Sequence, residues 1–425
     1  MRNFLTMVRE LPFAMKILLA SSAARGLSFF AILAYMPIYL YDTVGMGGAA
    51  IGYVIGGSVL VGTLASVYGG YLADRVTKIN LVIALDIAIM ALYLSLTVIR
   101  DPFTVTAILV LASVASSSMG VAGNALISEL VRPENRTKVF SLRYSLQNIG
   151  AAAGPFLGVA AVTAGAGGPF VLSVAVIGAS LLPLVLFRRR FLAPGTATAA
   201  PAAAAAQDVE REQGVEEEPG FLDVLRRMRA DRRLAYFTVG GILSIVVYGP
   251  LLTFMSQYLV LVEDRDTAYR LVAYVSAANA VVVIGAQYAL GSRLRPNTLM
   301  KWLTVGTGAF VVGLLAMSLS THAAVLVIAV VVFSIGEVIV VPAEFTFIDS
   351  IAPENLRGSY FGAQNLIHVG IALGPILCGV LLQHFAPAVM FYVLIALVVA
   401  SWWLYAAGCR ATAATRTADK VVNAA

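Results

Sequence analysis

The chain contains 425 residues, of which 60% are hydrophobic and 12% are charged. A soluble domain is about half apolar and a quarter charged, so this composition excludes a soluble fold and requires a surrounding lipid phase. The net charge of +6 does not indicate a nucleic-acid partner, because the basic residues are confined to alternate segments between hydrophobic stretches.

Twelve stretches are long and apolar enough to predict membrane-spanning helices, since a helix needs about 20 apolar residues to cross the hydrocarbon. They are residues 13–41, 48–72, 79–99, 102–127, 138–165, 168–187, 234–262, 268–291, 299–319, 322–348, 357–383 and 387–408. Barrel strands are much shorter, and backbone groups inside lipid must be paired, so these segments predict helices. The sequence therefore predicts an all-α polytopic membrane protein with twelve transmembrane helices, numbered here in chain order.

The basic residues lie almost entirely on one side of the predicted bundle. Of the 29 Lys and Arg residues, 25 fall in the N-terminal segment, the even-numbered loops and the C-terminal tail. Because cytoplasmic loops carry the excess of Lys and Arg, both termini are predicted to face the cytoplasm. We therefore expect a monomeric, multi-pass protein of the cell inner (plasma) membrane, whose basic side chains contact anionic lipid headgroups.

An internal repeat relates the two ends of the chain. A shift of 220 residues aligns RPENRTKVFSLRYSLQNIGAAAGPFLG, from Arg132, with APENLRGSYFGAQNLIHVGIALGPILC, from Ala352. Nine residues between positions 133 and 158 are identical in this ungapped alignment. Two parallel, pseudo-symmetric six-helix bundles are one plan of secondary transporters, and over nearly the whole chain this plan resembles the major facilitator superfamily. The predicted domains are an N-terminal half (1–190), a cytoplasmic linker (191–233), a C-terminal half (234–408) and a cytoplasmic tail (409–425).

The linker changes character along its length. Its first part is rich in Pro, Ala and Thr and then in Glu, and we expect it to be disordered because it has too little apolar surface to bury. From Phe221 onward, Leu222, Leu225 and Met228 are spaced three apart, and five arginines follow between positions 226 and 233. This pattern predicts a short basic helix on the cytoplasmic surface.

The loop between helices 2 and 3, GGYLADRVTK, resembles the most diagnostic signature of the superfamily. Gly70, Asp74, Arg75 and Lys78 match that signature, and Thr77 replaces its usual second glycine. The resemblance implies a conformational latch, in which the aspartate faces the positive N-terminus of helix 11 and the basic residues lie at the headgroups. Breaking this contact is expected to bias the protein between inward- and outward-facing states. The alternative is a turn whose charges only set the topology.

Glycine and proline mark equivalent positions in helices 5 and 11. They are Gly150, Gly154, Pro155 and Gly158 in helix 5 and Gly370, Gly374 and Pro375 in helix 11. The first set resembles the antiporter signature of the superfamily, although Val159 stands in the place of its final glycine. Small residues four apart let helices pack closely and proline bends a helix, so these positions are predicted to serve as packing and hinge points.

Helix 10 carries a second resemblance that implies export. The segment FSIGEVIVVPAEFTFIDSIAPENLRGSYFG resembles one found in drug and small-molecule exporters, with Glu337 directly after a glycine and five residues before Pro342. Helix 4 departs from the drug/proton antiporter pattern, because LASVASSSMGVAG lacks the intramembrane arginine that is linked to proton coupling. The resemblance therefore favours an exporter and leaves the route of the proton open.

Charged residues deep inside predicted helices include Arg25 near the middle of helix 1, Asp86 in the cytoplasmic third of helix 3 and Glu337 about halfway along helix 10. Charged groups are costly in lipid, so each is a candidate for function. We expect Asp86 to belong to the latch, because only seven residues separate it from Lys78. Desolvation favours the protonated form of a carboxyl group, so Glu337 is predicted to carry a coupling proton while Arg25 lines the substrate cavity. The alternative is that these residues form structural pairs that lock helices together.

Further polar side chains inside the predicted helices are candidates for binding substrate or protons. These are His368, Asn148, Gln147 and Gln257, with Gln287 and Asn279 as additional polar points of the cavity. A buried histidine can relay protons near neutral pH, and a hydrogen-bonded core role is the alternative. Glu129, Arg143 and Asp349 lie near the cytoplasmic ends of their helices and are expected to make gate or loop contacts, with contact to substrate as the alternative.

The sequence contains no phosphate-binding loop of the GxxxxGK type, no His–Glu metal cluster and no nucleophile elbow. We therefore expect neither an enzyme nor an ATP-driven pump, and no cofactor. The function that the resemblance implies is proton-driven export of amphipathic small molecules or drugs by alternating access. The alternatives are an uptake symporter for a sugar, organic acid or peptide, and a lipid flippase on the same fold.

Overall fold

The computed structural model describes residues 11–163, 165, 167–192, 220–291 and 293–422, and every long regular element within these ranges is a helix. The membrane helices are α1 (Phe13–Ile38, extended by a π-helical turn Tyr39–Thr43), α2 (Gly48–Arg75), α3 (Lys78–Ser95), α4 (Pro102–Leu130), α5 (Pro133–Val162), α6 (Gly168–Leu186), α7a (Arg232–Tyr248), α7b (Leu251–Val262), α8 (Arg265–Gly291), α9 (Leu299–Leu319), α10 (Ala323–Ile351), α11a (Arg357–Asn365), α11b (Val369–His384) and α12 (Pro387–Val422). The part of the linker that we expect to be disordered, residues 193–219, lies outside the described residues.

Eleven helices in the described ranges are long and apolar enough to cross a membrane. The remaining crossing is divided, because Gly249 and Pro250 separate α7a, with 17 residues, from α7b, with 12. Proline lacks the backbone N–H and its ring clashes with the carbonyl group four residues earlier, so the helix breaks there. The predicted all-α membrane fold is therefore confirmed, and the expectation of one unbroken helix over 234–262 is wrong. Helix 12 also continues past its predicted end at 408, to Val422.

Close helix packing recurs in both halves at the predicted glycines. In the N-terminal half, α5 packs on α1, and a Cβ atom at Gly154 would lie 2.8 Å from the Cβ of Phe30. In the C-terminal half, α11b packs on α7a, and a Cβ atom at Gly374 would lie 2.8 Å from the carbonyl oxygen of Val246. Such separations admit only glycine, as is usual where membrane helices approach closely. Gly150 and Gly158 of α5 lie equally close to α1, and Gly370 of α11b lies equally close to α7a, so a Cβ atom at any of these positions would also clash.

The two halves contact each other through α2, α4 and α5 of the N-terminal half and α8, α10, α11a and α11b of the C-terminal half. The ends of α2, α6 and α10 and the starts of α5, α7a and α11a lie on the same side of the bundle as the linker. We call this the linker side.

The short basic helix predicted from Phe221 is present and ends at Ala230. Its Val224 and Met228 are buried, and Phe221 packs against two tyrosine rings of α2. Leu222, one of the three residues whose spacing predicted this helix, is 65% exposed. The buried positions follow the three-, four- and seven-residue spacing of an amphipathic helix that starts at Phe221.

Asp231 joins this helix to the C-terminal half. It caps α7a by accepting a hydrogen bond from the backbone N–H of Arg233 (3.0 Å), and it also accepts one from the hydroxyl of Tyr360 on α11a (2.8 Å). The guanidinium of Arg233 pairs with the same carboxylate at 2.8 Å. Burial raises the pKa of Asp231, but the hydrogen bonds from Arg233 and Tyr360 outweigh it, so that the pKa lies below its ordinary value.

Candidate functional site

Asp74 lies where α2 of the N-terminal half meets the first turn of α11a in the C-terminal half. Its carboxylate accepts hydrogen bonds from the backbone N–H of Gly358 (2.6 Å), the backbone N–H of Ser359 (2.7 Å) and the hydroxyl of Ser359 (2.7 Å). The first N–H groups of a helix lack partners within it and carry partial positive charge, so they stabilise an aspartate. Gly70 permits this approach, because a Cβ atom at that position would clash with the carbonyl group of Gly358. Asp74 therefore ties the halves together on the linker side.

The basic residues of the same signature make different contacts. Lys78, at the start of α3, forms an ion pair of 2.6 Å with Glu129 of α4. The guanidinium of Arg75 is exposed and lies 5.0 Å from the ring centre of Tyr71. The Lys78–Glu129 pair thus connects two helices of the same half, next to the latch.

A second layer of contacts between the halves lies beside Asp74. Arg136, in the first turn of α5, pairs with Asp349 near the end of α10 at 2.8 Å and also donates to the carbonyl group of Val131. Both side chains of the pair are 8% exposed, so removing one partner would cost about 3–5 kcal/mol. Nearby, the hydroxyl of Thr346 donates to that of Thr137 across the same interface (3.0 Å). Asp349 is therefore part of the closure on the linker side.

Glu337 makes the innermost polar contact between the halves in the described part of the chain. Its carboxylate accepts hydrogen bonds from the hydroxyl of Tyr144 on α5 (2.6 Å) and from the side-chain amide of Asn279 on α8 (3.1 Å). The same amide donates to Ser334 (2.9 Å). Glu337 is 7% exposed, and within the described ranges no basic side chain interacts with it. A buried carboxyl group whose partners are all neutral can gain or lose a proton, as a proton carrier must.

Arg25 of α1 pairs with Asp86 of α3. The guanidinium lies 3.0 Å from the carboxylate and also donates to the hydroxyl of Ser22 (3.4 Å). The exposed fractions of the two side chains are 11% for Arg25 and 0% for Asp86. The expectation that Asp86 belongs to the latch is wrong, because the eight-residue step from Lys78 raises it about 12 Å along α3, into the bundle. The pair joins α1 to α3 within one half.

Arg143 lies on α5, directly before Tyr144. Its guanidinium donates to the side-chain oxygen of Asn124 on α4 and, at 3.5 Å, to the carbonyl group of Gly120. The Nε atom is buried and has no hydrogen-bond partner among the residues that the structure describes. The expected gate or loop contact is not seen, because both partners lie on α4 of its own half. A partly buried guanidinium with neutral partners retains the capacity to bind an anionic group.

The other candidates on α5 lie one turn beyond Arg143 and Tyr144. Gln147 packs against Gly26 of α1, where an added Cβ atom would lie 3.6 Å from the Cα of Gln147. The side-chain amide of Asn148 donates to the carbonyl group of Tyr144 (2.9 Å). Asn148 therefore supports the turn of α5 that presents Tyr144 to Glu337.

The candidates in the C-terminal half have local partners. His368 lies in a 3₁₀ turn between α11a and α11b, and its Nδ1 is 2.9 Å from the carbonyl oxygen of Asn365. The buried amide of Gln287 donates to the carbonyl group of Val338 (3.3 Å), so it holds α8 against α10. The side chain of Gln257 lies outside the described part of the structure.

Three residues in this region were not singled out from the sequence. Tyr144 lies in the repeated segment of helix 5, and no spacing rule identifies it as a partner of Glu337. Arg136 precedes the predicted start of helix 5 at 138, whereas the helix begins at Pro133, a residue type favoured at the first helical position. Glu344 stands four residues before the predicted end of helix 10, but α10 continues to Ile351, so Glu344 is 2% exposed inside the bundle.

The chemistry available in this region is binding and proton transfer. It comprises buried carboxyl groups, a guanidinium, hydroxyl groups and amides at the junction of the two halves. Within the described ranges, no group of three His, Cys, Asp or Glu side chains is arranged to hold a metal ion.

Comparisons with known proteins cover nearly the whole chain. Residues 18–369 match the family described as Major Facilitator Superfamily. The MFS-type transporter YdeE of Escherichia coli K12 is 30% identical over 395 residues, which cover 93% of this chain and 95% of that protein. The multidrug resistance protein MdtH of Cronobacter sakazakii is 25% identical, covering 82% of this chain and 80% of MdtH. A Na⁺, Li⁺, K⁺/H⁺ antiporter of Planococcus maritimus is 24% identical, covering 85% of this chain and 88% of the antiporter.

Solved structures share the fold at lower identity. A bacterial homologue of the iron transporter ferroportin, in an outward-facing state, has a TM-score of 0.72 and 17% identity, covering 93% of this chain and 99% of that chain. The transporter FucP, in the outward conformation, has a TM-score of 0.71 and 12% identity, covering 93% of this chain and 98% of FucP. These likenesses concern the fold alone.

Proposed function

Because the chain belongs to the major facilitator superfamily and is a multi-pass membrane transporter, we propose that it exports amphipathic small molecules, drugs included, in exchange for protons. The observation that carries the proposal is Glu337. This buried carboxyl group lies at the innermost contact between the halves and accepts its hydrogen bonds only from neutral groups among the described residues. A proton that binds to Glu337 directly changes the hydrogen bond between Glu337 and Tyr144, which must break when the two halves separate.

The hydrogen bond from Tyr144 determines whether protonation of Glu337 favours opening or closing on the linker side. A hydrogen bond to an ionised carboxylate is roughly twice as strong as one to a neutral group. Protonation of Glu337 therefore weakens its contact with Tyr144 and favours separation of the halves on the linker side. Release of the proton restores the contact and favours closure on that side.

The orientation of the protein in the membrane gives this cycle its direction. We propose that both termini and the linker face the cytoplasm of the inner membrane, because 25 of the 29 Lys and Arg residues lie on that side. All polar contacts described above between the halves lie between the linker side and Glu337, so the conformation is closed to the cytoplasm. A proton taken up from outside would then open the cytoplasmic side to cargo.

The class of cargo is inferred from relatives and from the residues at the junction. The similar MdtH is named a multidrug resistance protein, and another relative is named a cation/H⁺ antiporter. One observation favours a second candidate, a proton-coupled symporter for a polar metabolite. Arg143 is a partly buried cation whose described hydrogen-bond partners are neutral, so it is suited to a carboxylate or another anionic group of a substrate.

The proposal is tested with purified protein in proteoliposomes, with ethidium as the transported probe. An imposed pH gradient should drive ethidium toward the side of higher proton concentration in the wild type. Glu337→Gln, which keeps the size of the side chain but cannot ionise, should abolish the dependence on the gradient. Glu354→Gln is the matched control, because Glu354 is 64% exposed and pairs only with Arg357 of its own turn in the described structure. Full gradient-driven transport by Glu337→Gln would overturn the role of Glu337, and ethidium moving together with protons would favour the symporter.

A further inference from the structure

Glu344 is another buried carboxyl group on α10, and the exchange proposed above makes no use of it. Its exposed fraction is 2%. Its Oε1 atom accepts a short hydrogen bond from the hydroxyl of Tyr405 on α12. Its Oε2 atom is buried and has no hydrogen-bond partner within the described ranges. One neutral donor is thus the whole hydrogen-bond environment that the described residues provide for this group.

The walls around Glu344 are small or aromatic. On α7a, Gly241 faces it, and a Cβ atom at Gly241 would lie 3.6 Å from Oε1 and 2.7 Å from a methyl carbon of Ile367. On α12, the ring of Tyr405 lies 4.9 Å from that of Phe237. Water is therefore kept away from the carboxyl group by α7a, α12 and the 3₁₀ turn that contains Ile367.

Three tyrosines lie within electrostatic range of Glu344: Tyr405 of α12, Tyr248 of α7a and Tyr144 of α5. The neighbouring elements also carry Glu337 of α10, Arg143 of α5, Lys301 of α9, Arg357 of α11a and His368 of the 3₁₀ turn. Lys301 is exposed, Arg357 pairs with Glu354, and His368 contacts Asn365. Among the described residues, none of these basic groups interacts with Glu344.

The internal repeat shows how this situation differs between the halves. The 220-residue shift aligns Glu344 with Asn124 and Ala363 with Arg143. In the N-terminal half, Arg143 donates to Asn124. In the C-terminal half, the position of the cation is occupied by alanine and the position of the amide by a carboxyl group. Glu344 therefore has no cation at the position equivalent to Arg143, and an ionised carboxylate that is buried without a cation is strongly disfavoured.

Glu344 and Glu337 share one face of α10. They are seven residues apart, which is two helical turns or about 10 Å along the axis. Tyr248 lies within electrostatic range of both carboxyl groups. The group that closes the site, Ile367, belongs to the turn between α11a and α11b, and the N-terminus of α11a is held by Asp74. Release of that latch would move the wall of the Glu344 site.

We propose that Glu344 is a second proton-binding site of the transporter, occupied by a proton while the linker side is closed. When α11a moves away with the released latch, water reaches the carboxyl group, its O–H bond breaks and the proton passes to that water. Closure of α11a follows uptake of a proton and returns the group to its neutral form. The inference rests on the proposed proton exchange and adds to it a site whose access depends on α11a.

The test is infrared difference spectroscopy of the purified protein in lipid between about pH 6 and pH 10, a range in which exposed carboxyl groups are already ionised. The wild type should show the carbonyl band of a protonated carboxyl group. Glu344→Gln should lose that component, and the exposed control Glu354→Gln should keep it. Tyr405→Phe retains the carboxyl group but removes its hydrogen-bond donor, so its band should shift to higher frequency. Tyr405→Phe also provides the test if Glu344→Gln does not fold.

An unchanged band in Glu344→Gln, or an unshifted one in Tyr405→Phe, overturns this site and leaves proton exchange through Glu337 standing. Absence of proton-coupled ethidium transport in wild-type proteoliposomes, with the Glu344 band present, contradicts the proposed function and not the protonation of Glu344. The two failures are therefore distinguished by two separate measurements.

Discussion

Replacement of Asp74 by asparagine should shift the protein toward opening on the linker side. The carboxylate accepts three hydrogen bonds across the interface, one from Gly358 and two from Ser359. Asparagine keeps one acceptor oxygen and turns an NH₂ group toward the donors of Ser359, so about two bonds to a charged acceptor are lost. At about 1.5–3 kcal/mol for each, the closed state loses about 3–6 kcal/mol. The open fraction should then rise by at least a factor on the order of 100.

The assay follows the exposure of a buried cysteine at the same interface. Ser66 on α2 is 0% exposed, and its hydroxyl faces the carbonyl oxygen of Gly362 on α11a at 3.3 Å. Ser66→Cys, in a protein whose Cys378 and Cys409 are replaced by alanine, should react with a water-soluble maleimide only when these helices part. The labelling rate then follows the open fraction, so Asp74→Asn should raise it by the same factor. Asp101→Asn is the control, because Asp101 caps α4 within one half and asparagine caps equally well. Equal labelling rates with and without Asp74→Asn would refute this reasoning.

Three further predictions concern stability. Arg25→Met leaves Asp86 buried and unpaired, so the free energy of unfolding in detergent should fall by about 3–5 kcal/mol. The control Arg226→Met removes an exposed pair and should change the free energy of unfolding by less than about 1 kcal/mol. Equal effects of the two variants would contradict the assignment of a buried pair. Gly370→Val places side-chain atoms where α11b meets α7a, so we expect a loss of about 1–3 kcal/mol and a lower thermal midpoint, and an unchanged midpoint would show that the helices are farther apart. The pKa of Asp231 is lowered, so its carboxylate stabilises the fold above the ordinary pKa of about 3.9 and ceases to do so as pH falls through the folded value. The thermal midpoint of Asp231→Asn should therefore lie below that of the wild type at neutral pH and approach it in acid, and a constant difference across this range would contradict the prediction.

Much of the fold follows from local patterns in the sequence. Hydropathy locates the helices because the length of apolar chain needed to cross a membrane is fixed by the bilayer. The repeat predicts two similar halves, and both halves pack at the aligned glycines Gly154 and Gly374. The break in helix 7 was not predicted, although its cause, Pro250, stands in the sequence. The residues on both sides of Pro250 are so apolar that hydropathy indicates one continuous span.

The candidate site was less predictable because its contacts join residues that are far apart in the chain. Asp86 was assigned to the nearest charged motif in sequence, whereas its partner, Arg25, lies 61 residues away on another helix. Glu337 was identified from its place inside a predicted helix and from the resemblance of helix 10 to exporters, but Tyr144, its partner across the interface, is separated from it by 193 residues. Position along the chain places a side chain at a depth in the bundle, and only the packing of helices decides which side chains meet.

The central claim, exchange of cargo against protons, is tested most directly by measuring both fluxes in one experiment. Wild-type proteoliposomes containing a pH-sensitive dye are given an ethidium gradient without a pH gradient. We predict that ethidium entering the vesicles drives protons out, and that Glu337→Gln removes this proton movement. Protons entering together with ethidium, or ethidium transport without any proton movement, would contradict the account.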